Sequence, residues 1–270
     1  MGRAEDDVVG PTSPGTRFDS SLTLVFDGDG QHDGAPCAGT VSSSAGDWGS
    51  PLSVVLITGT SSGFGEAIAV GFAGRGDQVI ATMRRPDEAD PGLTSRDGID
   101  MVRLDVTDGE GRRRVVEQVL AEHGRIDVLV NNAGIDAHSP AEEHPTEQAR
   151  RIMETNFWGP YELIKLVLPA MRHQAAGRIV NITSIAAVMS PPFEAVYAAS
   201  KHALDGLSAS LDLELDGTGV RVVTVLPGPH DTGMQDRVDV LVAADSIYRD
   251  RLEGFHRRFS ATLASNPELG

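Results

Sequence analysis

Cysteine is almost absent from this sequence: Cys37 is the single one among 270 residues, so no disulfide can form within the chain. There is also no run of about 18 apolar residues, the length that a membrane-spanning helix needs. The first residues, MGRAEDDVVG, lack the basic start and apolar run of a secretory signal. Together these absences predict a cytoplasmic protein in a reducing compartment, without a membrane span.

Basic residues are scarce as well. Lysine and arginine total 23 against 39 aspartates and glutamates, which gives a formal net charge of −16. Such a surface repels polyanions, so the composition argues against a nucleic acid or an anionic membrane face as a general partner. It still permits a local basic pocket for one phosphate group.

The chain divides into two parts by composition. Residues 1–50 are rich in Gly, Ser, Asp and Thr and show no sustained apolar periodicity. They bury too little apolar surface to offset the entropy of ordering them, so we predict a disordered or irregular tail. A short strand at LTLVF (22–26) is the alternative. Residues 51–270 form the predicted folded domain.

From residue 52 onward, apolar runs typical of buried strands alternate with segments of helical spacing. This alternation predicts an α/β protein with a doubly wound parallel sheet, a Rossmann fold in a single domain, because parallel strands need crossover helices. The predicted strands lie in LSVVLITG, QVIATM, IDMVRLDV, RIDVLVNNAG, GRIVNITS and VRVVTVLPG. The predicted helices cover FGEAIAVGFAGRG, 108–124, 146–174 with a break near Gly159–Pro160, and 195–216.

The segment TGTSSGFG joins the first predicted strand to the first predicted helix. Its glycines, Gly59, Gly63 and Gly65, suit a tight turn that lets the backbone approach a pyrophosphate. The following helix N-terminus offers free N–H groups and positive potential to phosphates. We therefore predict a dinucleotide site here; a packing turn without ligand is the alternative.

The second predicted strand runs into ATMRRPDE. NAD sites usually place an acid near this point, to accept a hydrogen bond from the ribose 2′-hydroxyl. Arg84 and Arg85 stand there instead, and a guanidinium suits a 2′-phosphate. The sequence therefore favours NADP over NAD; the alternative is that one or both arginines point into solvent.

The stretch YAASK places Tyr197 and Lys201 four residues apart, on one face of a predicted helix. An ammonium beside the phenol favours the phenolate and lowers the pKa of tyrosine from its usual value of about 10. The pair is a candidate acid/base. The same spacing also occurs on ordinary helix surfaces.

The motifs TGTSSGFG, LDVT, NNAG, NITSI, YAASK and LPGPHDT follow one another in the order and spacing typical of one family. From about Leu52 to about Thr232 the chain resembles the short-chain dehydrogenase/reductases, and most of all the hydroxysteroid and retinol dehydrogenases and their bacterial relatives. The resemblance implies an NADP-dependent oxidoreductase that transfers a hydride between nicotinamide and a ketone or secondary alcohol of a lipophilic small molecule. A nucleotide-sensing protein without turnover is the alternative.

The resemblance also implies roles for individual residues. Ser184 would bond the substrate oxygen, Tyr197 would be the acid/base, and Lys201 would bond the nicotinamide ribose. Asn156 would kink the long helix and hold a water for proton relay. The implied cofactor-binding residues are Gly59, Ser61, Ser62, Gly63, Phe64, Gly65, Arg84, Arg85, Asp105, Val106, Asn132, Ala133, Gly134, Tyr197, Lys201, Pro227, Gly228 and Thr232.

Two further expectations concern metals and assembly. No metal site is expected. A homo-oligomer, dimer or tetramer, is expected from the family. Family members usually continue into a further helix and a seventh strand. Here the last segment, DSIYRDRLEGFHRRFSATLASNPELG, contains one predicted amphipathic helix and no predicted strand. A shortened C-terminal end is therefore expected.

Overall fold

The computed structural model describes residues 52–230, 233 and 237–265, with side chains up to residue 262. The predicted irregular tail (1–50) and the predicted cofactor residue Thr232 lie outside the described residues. The elements, in chain order, are β1 (Val54–Thr58), α1 (Gly63–Gly74), β2 (Gln78–Met83), a 3₁₀ turn (Pro86–Glu88), α2 (Pro91–Thr94), β3 (Ile99–Arg103), α3 (Gly109–His123), β4 (Val128–Asn131), β5 (Ala137–His138), α4 (Thr146–Met153), a π-helical turn (Glu154–Trp158), α5 (Gly159–His173), β6 (Gly177–Ile182), a second 3₁₀ turn (Ile185–Ala187), α6 (Ala195–Glu214), β7 (Val220–Val225), β8 (Asp239–Val240) and α7 (Arg249–Ser265).

Six strands form one parallel sheet in the order β3-β2-β1-β4-β6-β7. The chain leaves β1 toward β2 and β3 on one side, then returns to place β4 on the other side of β1. In the register, Val55 of β1 lies between Val79 of β2 and Val128 of β4. The strand order therefore reverses between β1 and β4, where open sheets of this kind bind ligands at the strands' carboxyl ends. The predicted doubly wound parallel fold is confirmed.

The sheet is buried on both faces, which explains the continuous apolar runs of its strands. All five residues of β1 are buried. Leu56 packs with Val119 of α3 and Val167 of α5 in one core layer. Val55 and Ile57, on the opposite face, pack with residues of α1 in the other. Successive β1 side chains thus serve two different cores.

Local signals set the helix ends. The N-cap residue of α3 is Asp108, whose carboxylate accepts a hydrogen bond of 3.1 Å from the Glu110 N–H. The helix ends at Gly124, which has a left-handed backbone with φ of 72° that suits glycine. These caps lie at the ends of the predicted 108–124 segment.

The long predicted helix over 146–174 is interrupted near Gly159–Pro160, directly before Gly159. Its irregularity is the π-helical turn Glu154–Trp158, and Gly159 already begins α5. Asn156 lies in this turn, and its amide group hydrogen-bonds both the N–H and the carbonyl of Ile135, each at 2.9 Å. A turn with one extra residue of this type often marks a functional position in a helix.

The sequence reasoning missed a second, two-stranded sheet. Ala137 of β5 pairs with Asp239 of β8, and His138 pairs with Val240. Such short strands give no readable periodicity. Among the described residues, no helix has the length and apolarity needed to span a membrane.

Candidate active site

A cleft of about 530 Å³ opens at the carboxyl ends of the strands around the β1–β4 reversal. The predicted cofactor residues that line it are Gly59, Ser61, Ser62, Phe64, Arg84, Asp105, Val106, Asn132, Ala133 and Gly134. The cleft therefore joins the glycine loop, the end of β2 and the segment after β4 into one surface.

The glycine loop packs closely against Asn132 and Ala133, directly after β4. Gly59 has φ of +73°, which favours glycine. A Cβ on Gly65 would lie 2.2 Å from the Gly59 carbonyl oxygen and 2.5 Å from the Asn132 side-chain nitrogen. Asn132 Nδ2 donates hydrogen bonds of 2.9 Å to the carbonyls of Thr58 and Gly59. Gly65 is thus required by packing, while Gly59 faces the cleft.

The two arginines after β2 are separated by the structure. Arg84 lines the cleft beside Met83. The Arg85 guanidinium instead forms an exposed ion pair of 2.7 Å with Glu88. The alternative in which an arginine points away from the cofactor site describes Arg85 in this structure.

Asp105 holds its own turn as well as lining the cleft. Its Oδ1 accepts hydrogen bonds from the backbone N–H of Thr107 at 2.9 Å and from the Thr107 hydroxyl at 2.8 Å. A turn role and a role toward a ligand are therefore compatible at this position.

Tyr197 and Lys201 are both buried, one turn apart on α6. Lys201 Nζ donates a hydrogen bond of 2.9 Å to the carbonyl of Ile182, at the end of β6, and lies 5.7 Å from the centre of the Tyr197 ring. Ser184 follows β6, its hydroxyl accepts a hydrogen bond of 3.1 Å from the Ala186 N–H, and the same hydroxyl acts on the pKa of the Tyr197 phenol. The three side chains therefore meet at the carboxyl end of β6.

Asn156 joins the same group from the π-helical turn. Besides its bonds to Ile135, its Nδ2 donates to the Ser200 hydroxyl at 3.0 Å, and that hydroxyl donates to the Tyr197 carbonyl at 2.6 Å. A Cβ on Gly134 would lie 3.4 Å from Asn156 Oδ1 and 3.5 Å from Lys201 Nζ. Asn156 and Lys201 are thus neighbours at Gly134, and Asn156 is linked through Ser200 to the backbone of Tyr197.

Two further predicted cofactor residues, Pro227 and Gly228, lie in the segment after β7 and are not among the residues that line the cleft. The Pro227 carbonyl accepts a hydrogen bond of 2.9 Å from the N–H of Ile185, next to Ser184. The Gly228 carbonyl is 3.0 Å from His230 Nδ1, and the His230 ring meets the Phe64 ring edge-on. The segment after β7 therefore connects the serine turn to the glycine loop.

Burial dominates the electrostatics of the pair. It raises the pKa of Tyr197 above its usual value; the charges of Asp136 and Glu194 raise this pKa further, while the hydrogen bond from Ser184 lowers it. Burial lowers the pKa of Lys201 to about 8, against a smaller opposing effect of Asp136. The pKa of Tyr197 is therefore raised in this structure and not lowered as expected, because burial disfavours the phenolate and two nearby carboxylates add to that effect.

Several residues of the site were missed from the sequence. Asp136, His138 and Glu194 form a buried cluster near Tyr197. The pKa of Asp136 is raised to about 7, first by burial and then by Glu194. Arg237 lines the cleft and donates a hydrogen bond of 2.9 Å to the Ser62 hydroxyl. The one available signal was the alternation in IDAH, which puts an acid and a histidine on one side of an extended segment.

Comparison with known proteins agrees with this geometry. Residues 53–240 match the family model of the short chain dehydrogenases. The chain is 39% identical over 199 residues to a 3-ketodihydrosphingosine reductase from Bacteroides thetaiotaomicron, covering 73% of this chain and 72% of that protein.

Two solved structures are similar and differ in their cofactor. A short chain dehydrogenase/reductase from Burkholderia phymatum in complex with NAD superposes with a TM-score of 0.71 at 28% identity, covering 80% of each chain. A metagenomic short-chain oxidoreductase in complex with NADP gives 0.63 at 34% identity, covering 66% of this chain and 84% of that one.

The matched region spans the glycine loop, the cleft and the Ser184–Tyr197–Lys201 group. A nicotinamide cofactor and a small-molecule substrate follow from that relationship. With fold, cleft and relatives in agreement, this chain belongs to the short-chain dehydrogenase/reductase family and is an NAD(P)-dependent oxidoreductase.

Proposed function

We propose that the protein uses NADPH to reduce the ketone of a lipophilic small molecule, with Tyr197 as the proton donor. The observation that carries this proposal is the meeting of Ser184, Tyr197 and Lys201 at the end of β6. Together with Asn156, they are the residues that the family resemblance identifies as catalytic.

The chain's own residues supply the proton chemistry. The bound nicotinamide supplies the hydride. Ser184 donates a hydrogen bond to the substrate carbonyl oxygen, and the Tyr197 phenol transfers its proton to that oxygen as negative charge develops there. Lys201 provides positive charge beside the phenol and hydrogen bonds for the nicotinamide ribose. Asn156 holds the water through which the proton is replaced.

The protonation state of Tyr197 in the cofactor-free protein suits the reductive step. Because burial raises its pKa, the phenol keeps its proton at neutral pH in the cofactor-free protein. A protonated phenol is ready to donate, whereas oxidation of an alcohol requires the phenolate as a base.

NADPH rather than NADH is supported by Arg84. It lines the cleft after β2, where NAD sites usually carry an acid for the ribose 2′-hydroxyl. A guanidinium there pairs with the 2′-phosphate of NADPH through charge-assisted hydrogen bonds.

A lipophilic substrate is supported by the surface next to the tyrosine. Ala186, in the turn after Ser184, packs against Tyr197. The following residues Val188 and Met189 expose 59% and 64% of their surface, which leaves apolar side chains near the catalytic group. The related 3-ketodihydrosphingosine reductase is named for reduction of a keto compound.

A homo-oligomer, dimer or tetramer, is also proposed. Trp158 and Leu213 are large apolar side chains exposed to solvent on the single chain. Light scattering of the purified protein measures its mass directly, and a monomer would contradict this part.

The test measures NADPH and NADH oxidation with ketones of increasing chain length. We expect faster turnover with NADPH and with the longer ketones. Tyr197→Phe should reduce kcat by roughly 10²–10⁴-fold while the Kd for NADPH stays nearly constant. The matched control Tyr161→Phe, which removes another phenolic hydroxyl on α5, should retain activity. Full turnover by Tyr197→Phe would refute the assigned role.

A further inference from the structure

Three side chains of the site form a buried cluster that the proposed reaction does not use. Asp136 and His138 come from the segment after β4, and Glu194 is the N-cap residue of α6. They expose only 8%, 0% and 5% of their surface, respectively. One ligand atom from each lies within 4.8 Å of the others. An acid–histidine–acid group this deeply buried needs a physical reason.

Hydrogen bonding within the cluster does not supply that reason. His138 Nε2 lies 3.4 Å from Glu194 Oε1 and 3.7 Å from Asp136 Oδ2. Both distances exceed the usual 2.7–3.2 Å of an N–H···O hydrogen bond. Among the described residues, neither His138 Nε2 nor Glu194 Oε1 has a hydrogen-bond partner. Buried polar atoms without partners are costly, so they point to a missing ligand.

The other ring nitrogen of His138, Nδ1, contacts a second histidine, which leaves Nε2 available to a ligand. His138 Nδ1 lies 3.2 Å from His256 Nδ1 on α7. One of these two nitrogens must carry the proton. When His138 donates, its Nε2 has a lone pair directed at the two carboxylates. Metal-binding histidines typically donate their other N–H to a neighbour in this manner.

We propose that Asp136, His138 and Glu194 bind a divalent transition-metal ion, for which Zn²⁺ is the best fit. Zinc bonds of about 2.0–2.2 Å in a tetrahedron place neighbouring ligand atoms roughly 3.4 Å apart. The separations of 3.4 Å and 3.7 Å from His138 Nε2 match the edges of such a tetrahedron. One imidazole and two carboxylates form a ligand set that suits zinc better than magnesium or calcium.

Charge balance supports the same ligand. Carboxylates bind a metal in their ionised form, and two such charges in a buried site require a compensating charge. A divalent cation supplies it and leaves the centre neutral. Three protein ligands also leave the fourth tetrahedral position to a water molecule or a substrate oxygen. Asp136 lines the cofactor cleft, so an ion has a route to the cluster.

The site adjoins the catalytic tyrosine. The charges of Asp136 and Glu194 both act on the Tyr197 phenol. A bound cation between the carboxylates would cancel this negative field. The proposed reductase activity should therefore change with metal content. The proposal of the metal site itself rests on the geometry of the three ligands and not on the proposed function.

The first experiment measures binding without reference to activity. Tag-free protein is stripped with a chelator and titrated with Zn²⁺ by calorimetry. We expect one site, lost or weakened at least tenfold in Glu194→Gln, which keeps the shape of the side chain and removes its charge. The control Glu162→Gln, in an exposed ion pair with Lys165 on α5, should bind like the wild type. Equal binding by Glu194→Gln and the wild type would overturn the proposal.

The second experiment locates the ion and does not depend on any variant folding. Crystals of the wild-type protein are soaked in Zn²⁺, and diffraction is measured at the zinc absorption edge. The proposal requires an anomalous peak between Asp136, His138 and Glu194. Peaks confined to other histidines, or no peak at all, mean that the cluster is a protonated histidine held by two carboxylates, and the proposal fails.

Discussion

Lys201 Nζ lies 5.7 Å from the centre of the Tyr197 ring and is anchored by a 2.9 Å hydrogen bond to the Ile182 carbonyl. The four-residue spacing on α6 places the two side chains on one face, and the end of β6 fixes the lysine. The lysine side chain is therefore buried beside the phenol. Because burial disfavours the charged form of Lys201, the stability of the folded protein depends on pH.

The buried ammonium should give the cofactor-free protein a specific pH dependence of stability. The pKa of Lys201 is about 8 in the folded state, against about 10.4 for an unfolded lysine. Between these values the unfolded chain binds more protons, so the free energy of unfolding rises with pH. We expect a gain on the order of 1–3 kcal/mol from pH 8 to pH 10. Urea unfolding measures it.

The control for this effect is Lys201→Met, which keeps a long side chain without the titrating group. It should lack the rise between pH 8 and pH 10. Turnover should show the opposite trend in the wild type and fall above about pH 8, as Lys201 loses its proton. Identical stability profiles for the two proteins would contradict the lowered lysine pKa.

The two arginines after β2 should differ in their effect on cofactor choice. Arg84→Gln removes the guanidinium that lines the cleft, and should weaken NADPH binding at least tenfold while changing NADH binding little. Arg85→Gln is the matched control, since it breaks only an exposed ion pair with Glu88. Fluorescence titration with each nucleotide measures the four Kd values. An equal loss of NADPH and NADH binding in Arg84→Gln would rule out a 2′-phosphate contact.

A methyl group at Gly65 should disrupt the glycine loop. Its Cβ would lie 2.2 Å from a backbone oxygen of Gly59, so the loop must shift. Gly65→Ala should lower the free energy of unfolding by about 2 kcal/mol or more and weaken nucleotide binding. Thermal unfolding and nucleotide titration measure both effects.

Gly71 offers a control on the same helix. A Cβ there meets nothing within 4 Å. Gly71→Ala should therefore stabilise α1 by about 0.5–1 kcal/mol, because alanine is the better helix former. If both substitutions changed stability alike, close packing at Gly65 would not be the cause.

Asn156 should matter for stability as well as for catalysis. Its amide bonds the N–H and the carbonyl of Ile135 and the hydroxyl of Ser200. Asn156→Ala removes the hydrogen-bond partner of the Ile135 N–H and carbonyl and should cost about 2–4 kcal/mol. Gln118→Ala, which breaks an exposed bond to Glu122, should change stability by less than about 0.5 kcal/mol. Comparable urea midpoints for the two variants would refute the structural role.

The core strands could be predicted from the sequence because both of their faces are buried. VVLIT in β1 is apolar at every position, and QVIATM coincides with β2. The strand predicted in IDMVRLDV is shorter in the structure, where β3 ends at Arg103. The next residue, Leu104, still donates a backbone hydrogen bond to the Met83 carbonyl of β2. Strand ends depend on where neighbouring strands stop, which the local sequence does not record.

The order of the motifs was enough to predict the cleft and its neighbours. Gly59, Asp105 and Asn132 are far apart in the chain and line one cleft. The direction of each arginine side chain could not be predicted in this way, since Arg84 and Arg85 are adjacent and chemically identical. Only the course of the backbone after β2 directs one into the cleft and the other toward Glu88.

By itself, the sequence determined the parallel α/β fold, the glycine turn and the Tyr197–Lys201 spacing, because backbone geometry and apolar periodicity act over a few residues. Tertiary structure alone decided the protonation of the site, because desolvation and charge depend on what packs around a group. Burial raised the tyrosine pKa where the local sequence suggested a fall. The tertiary structure also places Glu194 Oε1 3.4 Å from His138 Nε2, although the two residues are 56 positions apart in the chain. No local sequence pattern carries information over such a separation.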